Sequence, residues 1–125
     1  MKPTNQIGYL LQHVSFSLAR QSDQDLQEQL GLGLSQFKIM MVLKWNPSVQ
    51  QRHIADALGQ TEASISRQIK LMHDSGLLQT TISPQNRREH ITTLTAKGVR
   101  MTQEAMQVLA RYHAPTFAVL SEKQI

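Results

Sequence analysis

Cysteine is absent from this sequence, and its absence closes several routes at once. Disulfides, thiolate metal sites and a cysteine redox switch are excluded. Long apolar runs are missing as well: no stretch reaches the roughly 18 apolar residues of a membrane-spanning helix. The start, MKPTNQIGYLLQHVSFSLAR, places a lysine ahead of apolar residues. Gln, His and Ser then interrupt the apolar core that a signal peptide needs, so a cytoplasmic protein is expected. Charge is sparse, with 18% charged residues against roughly 25% in an ordinary soluble domain. Sixteen glutamines supply the uncharged polar surface instead. Catalytic patterns are lacking too: there is no Gly-rich phosphate loop, no G-x-S-x-G elbow and no carboxylate pair, so no enzyme is expected. His13, His53, His73, His90 and His113 include no pair four residues apart and no acidic cluster at metal-ligand spacing. Neither a metal nor a cofactor is expected.

What is present is a basic middle. The 125 residues carry a net charge of +4, unevenly spread. Residues 35–100 hold nine Lys or Arg (38, 44, 52, 67, 70, 87, 88, 97 and 100) against four acids (56, 62, 74 and 89), which leaves +5 there and −1 on the two ends together. A cationic centre between near-neutral ends points to an anionic partner, although a solubility surplus gives the same total.

No repeat or linker divides the chain, so residues 1–125 read as a single domain. Residues 4–30 predict a long helix capped by Thr4, with Ile7, Leu10, Leu11, Val14, Leu18, Leu26 and Leu30 mostly at helical spacing. GLGLS ends it, Gly31 and Gly33 being free to take positive φ. Ser35 then caps QFKIMMVLKW, apolar nearly all round and therefore the expected buried centre, closed by Asn46-Pro47. Ser48-Val49-Gln50-Gln51 has the capping-box form and predicts a short helix through Leu58. Thr61 caps EASISRQIKLMHDS, which Gly76 ends. Leu77 and Leu78 begin the first strand of a hairpin, with β-branched Thr80, Thr81 and Ile82 before the turn, and Ile91–Leu94 form the second. A last helix runs from Ala96, capped by Thr95, to about His113, with Val99, Met106, Leu109 and His113 on one stripe, and Pro115 stops it.

The spacing between Ser48 and Gly76 is informative. Two helices that cross need a small residue at the crossing, here Ala55, and a turn residue tolerant of positive φ, here Gly59. Ile54 and Leu58 would face Ile65 and Ile69 across it. On the second helix Ile69 and Met72 fall within about 40° of Ile65 at about 100° per residue. The opposite side carries Ala63, Ser64, Arg67 and Lys70. Small side chains would let the backbone approach a groove floor, and Arg67 could fork onto guanine O6 and N7. Ser64 or Ser66 would reach a base edge or phosphate, while Thr61 and the free N–H groups offer a phosphate seat. An ordinary solvated helix face is the alternative. The hairpin adds weight, since Arg87 and Arg88 sit adjacent at its tip, where they repel each other and contribute nothing to folding. Beside a helix-turn-helix such a wing meets the minor groove, whose negative potential attracts arginine.

In order and spacing, residues 4–113 resemble the MarR family of winged helix-turn-helix transcriptional regulators. The resemblance rests on GLGLSQFKIMMVL, HIADALGQTEASISRQIKLMHDSGLL and SPQNRREHITTLTAKG. The family's S-x-S/T-R pattern stands as Ser64-Ile65-Ser66-Arg67, and its D-x-R wing signature as Asn86-Arg87-Arg88 followed by Leu94-Thr95-x-x-Gly98. This similarity implies that Arg88 reads the minor groove and that Arg87 supports it near the backbone. Asn86 replaces the usual Asp, so an orienting ion pair becomes a neutral hydrogen bond. It further implies a last helix interlocking with the first helix and a partner subunit. The sequence ends at LSEKQI, roughly where that helix would begin, so either the chain is shortened or the dimer is built with less.

The expected architecture is thus mainly α with a small β-wing: a helix-turn-helix at about 48–75, a wing at about 77–94, and dimerisation helices at about 4–30 and 96–125. The expected function is sequence-specific double-stranded DNA binding as a homodimeric, ligand-responsive repressor on a pseudo-palindromic operator. Thr61, Ser64, Ser66, Arg67, Lys70, Arg87 and Arg88 would touch DNA, and a small-molecule effector would act without any membrane partner. A winged helix used as a protein-docking module is the alternative, keeping the fold without a basic reading face.

Overall fold

A two-residue strand that the sequence pattern hid organises the centre of the chain. In the computed structural model, which describes the backbone of residues 3–85 and 90–124 and the side chains of 6–85 and 90–112, the elements follow in the order α1 (Pro3–Leu30), α2 (Leu34–Trp45), β1 (Val49–Gln50), α3 (Gln51–Leu58), α4 (Glu62–Asp74), β2 (Leu78–Ile82), β3 (His90–Leu94) and α5 (Ala96–Gln124). The expected capping box at Ser48 does not form. Val49 and Gln50 instead pair antiparallel with Thr92 and Ile91, and α3 starts only at Gln51, with no side-chain cap at Gln50. A β-branched residue after Pro47-Ser48 is better used in a ladder, where its backbone groups find partners, than in a helical first turn. The expected two-stranded wing is accordingly a three-stranded sheet of order β1-β3-β2. Register is fixed from Leu78 opposite Leu94 to Ile82 opposite His90.

The chain falls into two compact units, residues 1–34 with 108–125 and residues 35–107. The second holds most of the core: Ile39, Met40 and Leu43 from α2, Ile54 and Ala55 from α3, Ile65, Ile69 and Met72 from α4, then Leu77 and Leu78. Trp45, expected inside, is 72% exposed at the end of α2. Asn46 closes that helix with bonds from its backbone N–H and its side-chain amide to the Val42 carbonyl, at 2.9 and 3.0 Å. Val99 is exposed as well, since α5 turns Thr102, Ala105 and Val108 inwards rather than the stripe through Val99.

In the first unit Gly31 takes φ 64°, as expected, whereas Gly33 does not have positive φ. The start of α2 is held by the Asp23 carboxylate, which accepts from the Leu34 N–H at 2.9 Å, so Ser35 lies inside the helix rather than capping it. Leu26 is fully buried, yet Ile7, Tyr9, Leu10, Leu11, Val14 and Phe16 of α1 are each more than half exposed. Pro115 does not stop α5, which runs on to Gln124. Proline removes one N–H donor, and the turns on either side keep the helical path. Thr4, expected to cap α1, already lies inside the helix, which begins at Pro3, and the side chain of His113, for which a stripe position was expected, lies outside the described residues. Among those residues no helix is long and apolar enough to cross a membrane.

Candidate nucleic-acid interface

Gly59 sets the geometry of the helix pair. At φ 64°, ψ 34° it occupies the left-handed region that costs an L-residue about 1 kcal/mol or more. The reversal lets the Gln60 N–H reach back to the Ala55 carbonyl at 3.0 Å. Ala55 is itself buried, and its single methyl allows the helices to close on each other. Thr61 has extended backbone, and its Oγ1 accepts from the Ser64 N–H at 3.1 Å. The hydroxyl proton of Thr61 is therefore still available to donate outwards.

Ile65, Ile69 and Met72 anchor one side of α4 with at most 3% exposure. The other side is open: Thr61, Ala63, Ser66, Arg67 and Lys70 are all exposed. Ser64 is half-buried, and its hydroxyl donates to Gln60 Oε1 at 3.4 Å. Of the two serines, Ser66 thus has the freer hydroxyl. Glu62 lies in the first turn and Asp74 at the far end of the helix. Glu62 opposes an anion at the N-terminus, so Arg67 and Lys70 carry the cationic character of this face.

The hairpin stem is well defined by its five-residue register. At its exit Ser83 is buried, and its Oγ accepts from the Gln85 N–H at 3.3 Å, a local turn that bends the chain out of β2. Asn86, Arg87 and Arg88, the expected tip, lie outside the described residues.

Several features escaped the sequence reading. Leu71 is 55% exposed on the recognition-type helix, flanking Arg67 one turn on. A cavity of about 330 Å³ opens among Leu43, Lys44, Pro47, Thr93, Leu94, Val99, Thr102 and Gln103. Its walls are mostly apolar, the Thr93 hydroxyl is buried without a hydrogen-bond partner, and Lys44 Nζ has the Met106 sulfur at 3.3 Å and the Trp45 ring at 5.5 Å as neighbours. No single stretch of sequence signals a cavity assembled from α2, β3 and α5. Among the described residues no three His, Cys, Asp or Glu side chains group as metal ligands.

A MarR-family profile matches residues 30–89, which span α2 through β2 and stop before β3. That stretch carries the MarR-family pattern. Solved structures extend the likeness in fold to nearly the whole chain. A MarR-family transcriptional regulator from Rhodococcus sp. RHA1 is 21% identical and has a TM-score of 0.84, over 99% of this chain and 91% of that one. A cysteine-to-serine mutant of MarR from E. coli is 17% identical with a TM-score of 0.80, covering 98% and 96%. The same mutant complexed with operator DNA gives 0.74 at 17% identity, over 100% and 99%. No curated protein matches the sequence. The architecture is therefore the winged helix-turn-helix of MarR-type transcriptional regulators, as the sequence reading expected.

Proposed function

We propose that this protein is a sequence-specific, double-stranded DNA-binding transcriptional regulator that acts as a homodimer, and that it represses from a pseudo-palindromic operator under control of a small ligand. The observation that carries this reading is the division of α4 into an anchored face and an open face bearing Ala63, Ser66, Arg67 and Lys70. Arg67 is assigned to a guanine edge in the major groove, Ser66 and Ser64 to a base edge or phosphate, and Thr61 and Lys70 to phosphates. Arg87 and Arg88 are assigned to the flanking minor groove on sequence grounds. The operator complex of the similarly folded E. coli protein supports a duplex partner.

Dimer formation is supported by α1, where Ile7, Leu10, Leu11 and Val14 lie exposed at the spacing of one helix face. Control by a ligand is supported by the apolar cavity at Lys44 and Thr93, large enough for a small organic molecule. The two units are taken to work as one functional domain, the first pairing copies and the second reading DNA, in the cytoplasm and without catalysis.

Selection of bound duplexes from a random pool at near-physiological salt tests the proposal. A consensus of two inverted half-sites spaced by about one helical turn is the expected outcome. Binding to the selected duplex should weaken by orders of magnitude between about 50 and 200 mM salt. A pool that yields no enriched sequence, with no salt-dependent duplex binding, overturns the reading in favour of a protein-docking module.

A further inference from the structure

The exit of α4 is tied to the start of α5 by a set of bonds to successive carbonyls. Within the turn, the Leu77 N–H bonds to the Met72 carbonyl at 2.9 Å and the Gly76 N–H to that of His73 at 3.0 Å. The carbonyls of Ser75, Gly76 and Leu77 are taken by residues about twenty positions later in the chain. Lys97 Nζ donates to Ser75 O at 2.8 Å. Thr95 Oγ1 donates to Gly76 O at 2.6 Å, and the Thr95 N–H to Leu77 O at 3.1 Å. The same Thr95 hydroxyl accepts from the Gly98 N–H at 3.0 Å, so one side chain both caps α5 and clasps the turn. Gly98 completes the contact by lacking a side chain, for a Cβ there would collide with the Leu77 carbonyl oxygen.

Lys97 is the member whose placement the fold of its own helix does not explain. It stands in the first turn of α5, where a cation opposes the helix dipole. Its stem passes over Gly76, with Cδ 3.8 Å from where a Cβ would be. Its ammonium ends on the C-cap of α4, where a cation is favoured. The charge therefore serves α4 rather than α5. Arg67 lies eight residues, about 12 Å, from the Ser75 cap of α4, so a tilt of about 5° at this clasp moves its Cα by about 1 Å. A base edge read through a bidentate arginine does not tolerate such a shift, whereas a phosphate contact from a long flexible side chain does.

We infer that Lys97 is a positioning residue for DNA recognition: through its bond to the Ser75 carbonyl it fixes the tilt of α4 and thereby the fit of Arg67 to its base, without touching DNA. The inference rests on the DNA-reading function proposed above. It predicts loss of discrimination rather than uniform loss of affinity.

The test compares the intact parent chain with Lys97→Met, which keeps the stem without the donor, and Lys97→Arg, which keeps a donor. Each is titrated by fluorescence anisotropy against the selected duplex and a scrambled duplex over a range of salt. Lys97→Met should bind the selected duplex about tenfold more weakly, within the range of one weakened bidentate arginine–base pair. It should bind the scrambled duplex like the parent, with an unchanged salt slope, and Lys97→Arg should recover most of the loss. Hydrogen exchange of the Leu71–Ser75 amides reports the clasp itself and should quicken in Lys97→Met alone. Equal weakening on both duplexes with a salt slope lower by about one would identify Lys97 as a direct phosphate contact and overturn the inference. Unchanged binding to the selected duplex would reduce the clasp to a fold contact and overturn it too. A parent that binds no duplex at all would instead sink the DNA-reading function itself.

Discussion

The two compact units of this chain treat their apolar residues in opposite ways. Residues 35–107 bury Ile39, Met40, Ile54, Ile65 and Met72 completely and expose cations on α4. In the other unit α1 displays Ile7, Leu10, Leu11 and Val14 to solvent over its N-terminal half and buries Leu26 near its end. One unit closes its own core; the other leaves an apolar stripe exposed, the face assigned above to the proposed dimer. The difference teaches that the same helical periodicity has two outcomes, and that exposure within a single chain, rather than the pattern, separates a core face from an open one.

The sharpest way to break this comparison is in the buried unit. Ile65→Ala removes a fully buried side chain at the crossing of α3 and α4 and should destabilise the protein by about 2–5 kcal/mol in denaturant titration. A loss below about 0.5 kcal/mol would mean that the helix pair is not the closed core described. Leu11→Lys tests the other unit, since Leu11 is 64% exposed. Self-association measured by analytical ultracentrifugation should weaken by about a hundredfold, as for a charge placed at the centre of an apolar interface. Unchanged association would assign the stripe to another role.

Within α4 the anchored and open faces should separate cleanly. Arg67→Ala should cost about 1–3 kcal/mol of binding to the selected duplex and relax the preference at one base. Its thermal midpoint should stay within about two degrees of the parent, because the side chain is exposed. Parent-like binding would remove Arg67 from the reading face. Thr61→Ala, which deletes the N-cap bond to the Ser64 N–H, should show the reverse emphasis, with about 1 kcal/mol lost in stability. No change in stability would indicate that water replaces the cap fully.

The helix-turn-helix was legible because each of its requirements is local. Ala55, Gly59 and Thr61 announce a crossing, a reversal and a cap by residue type, and the structure uses them so. What stayed hidden depends on partners distant in sequence. Val49 and Gln50 become a strand only because Thr92 and Ile91 arrive beside them, and nothing in S-V-Q-Q distinguishes that outcome from a capping box. Trp45 looked like core by composition, but it follows Leu43, the last buried position of α2, and points to the opposite side of the helix. The roles of Lys97 and Gly98 were invisible for the same reason as β1, since the carbonyls they meet lie across a hairpin. The face of α4 was read correctly in direction, while the diversion of the Ser64 hydroxyl to Gln60 was not.

The short strand β1 has a consequence of its own. By joining Val49 and Gln50 to β3, it stitches the entrance of α3 to the root of the hairpin. Hairpin stem and helix pair then share a seam, with β3 paired on one side to the strand that leads into α3 and on the other to the strand that follows α4. The stem is in this way braced from both flanks of its central strand.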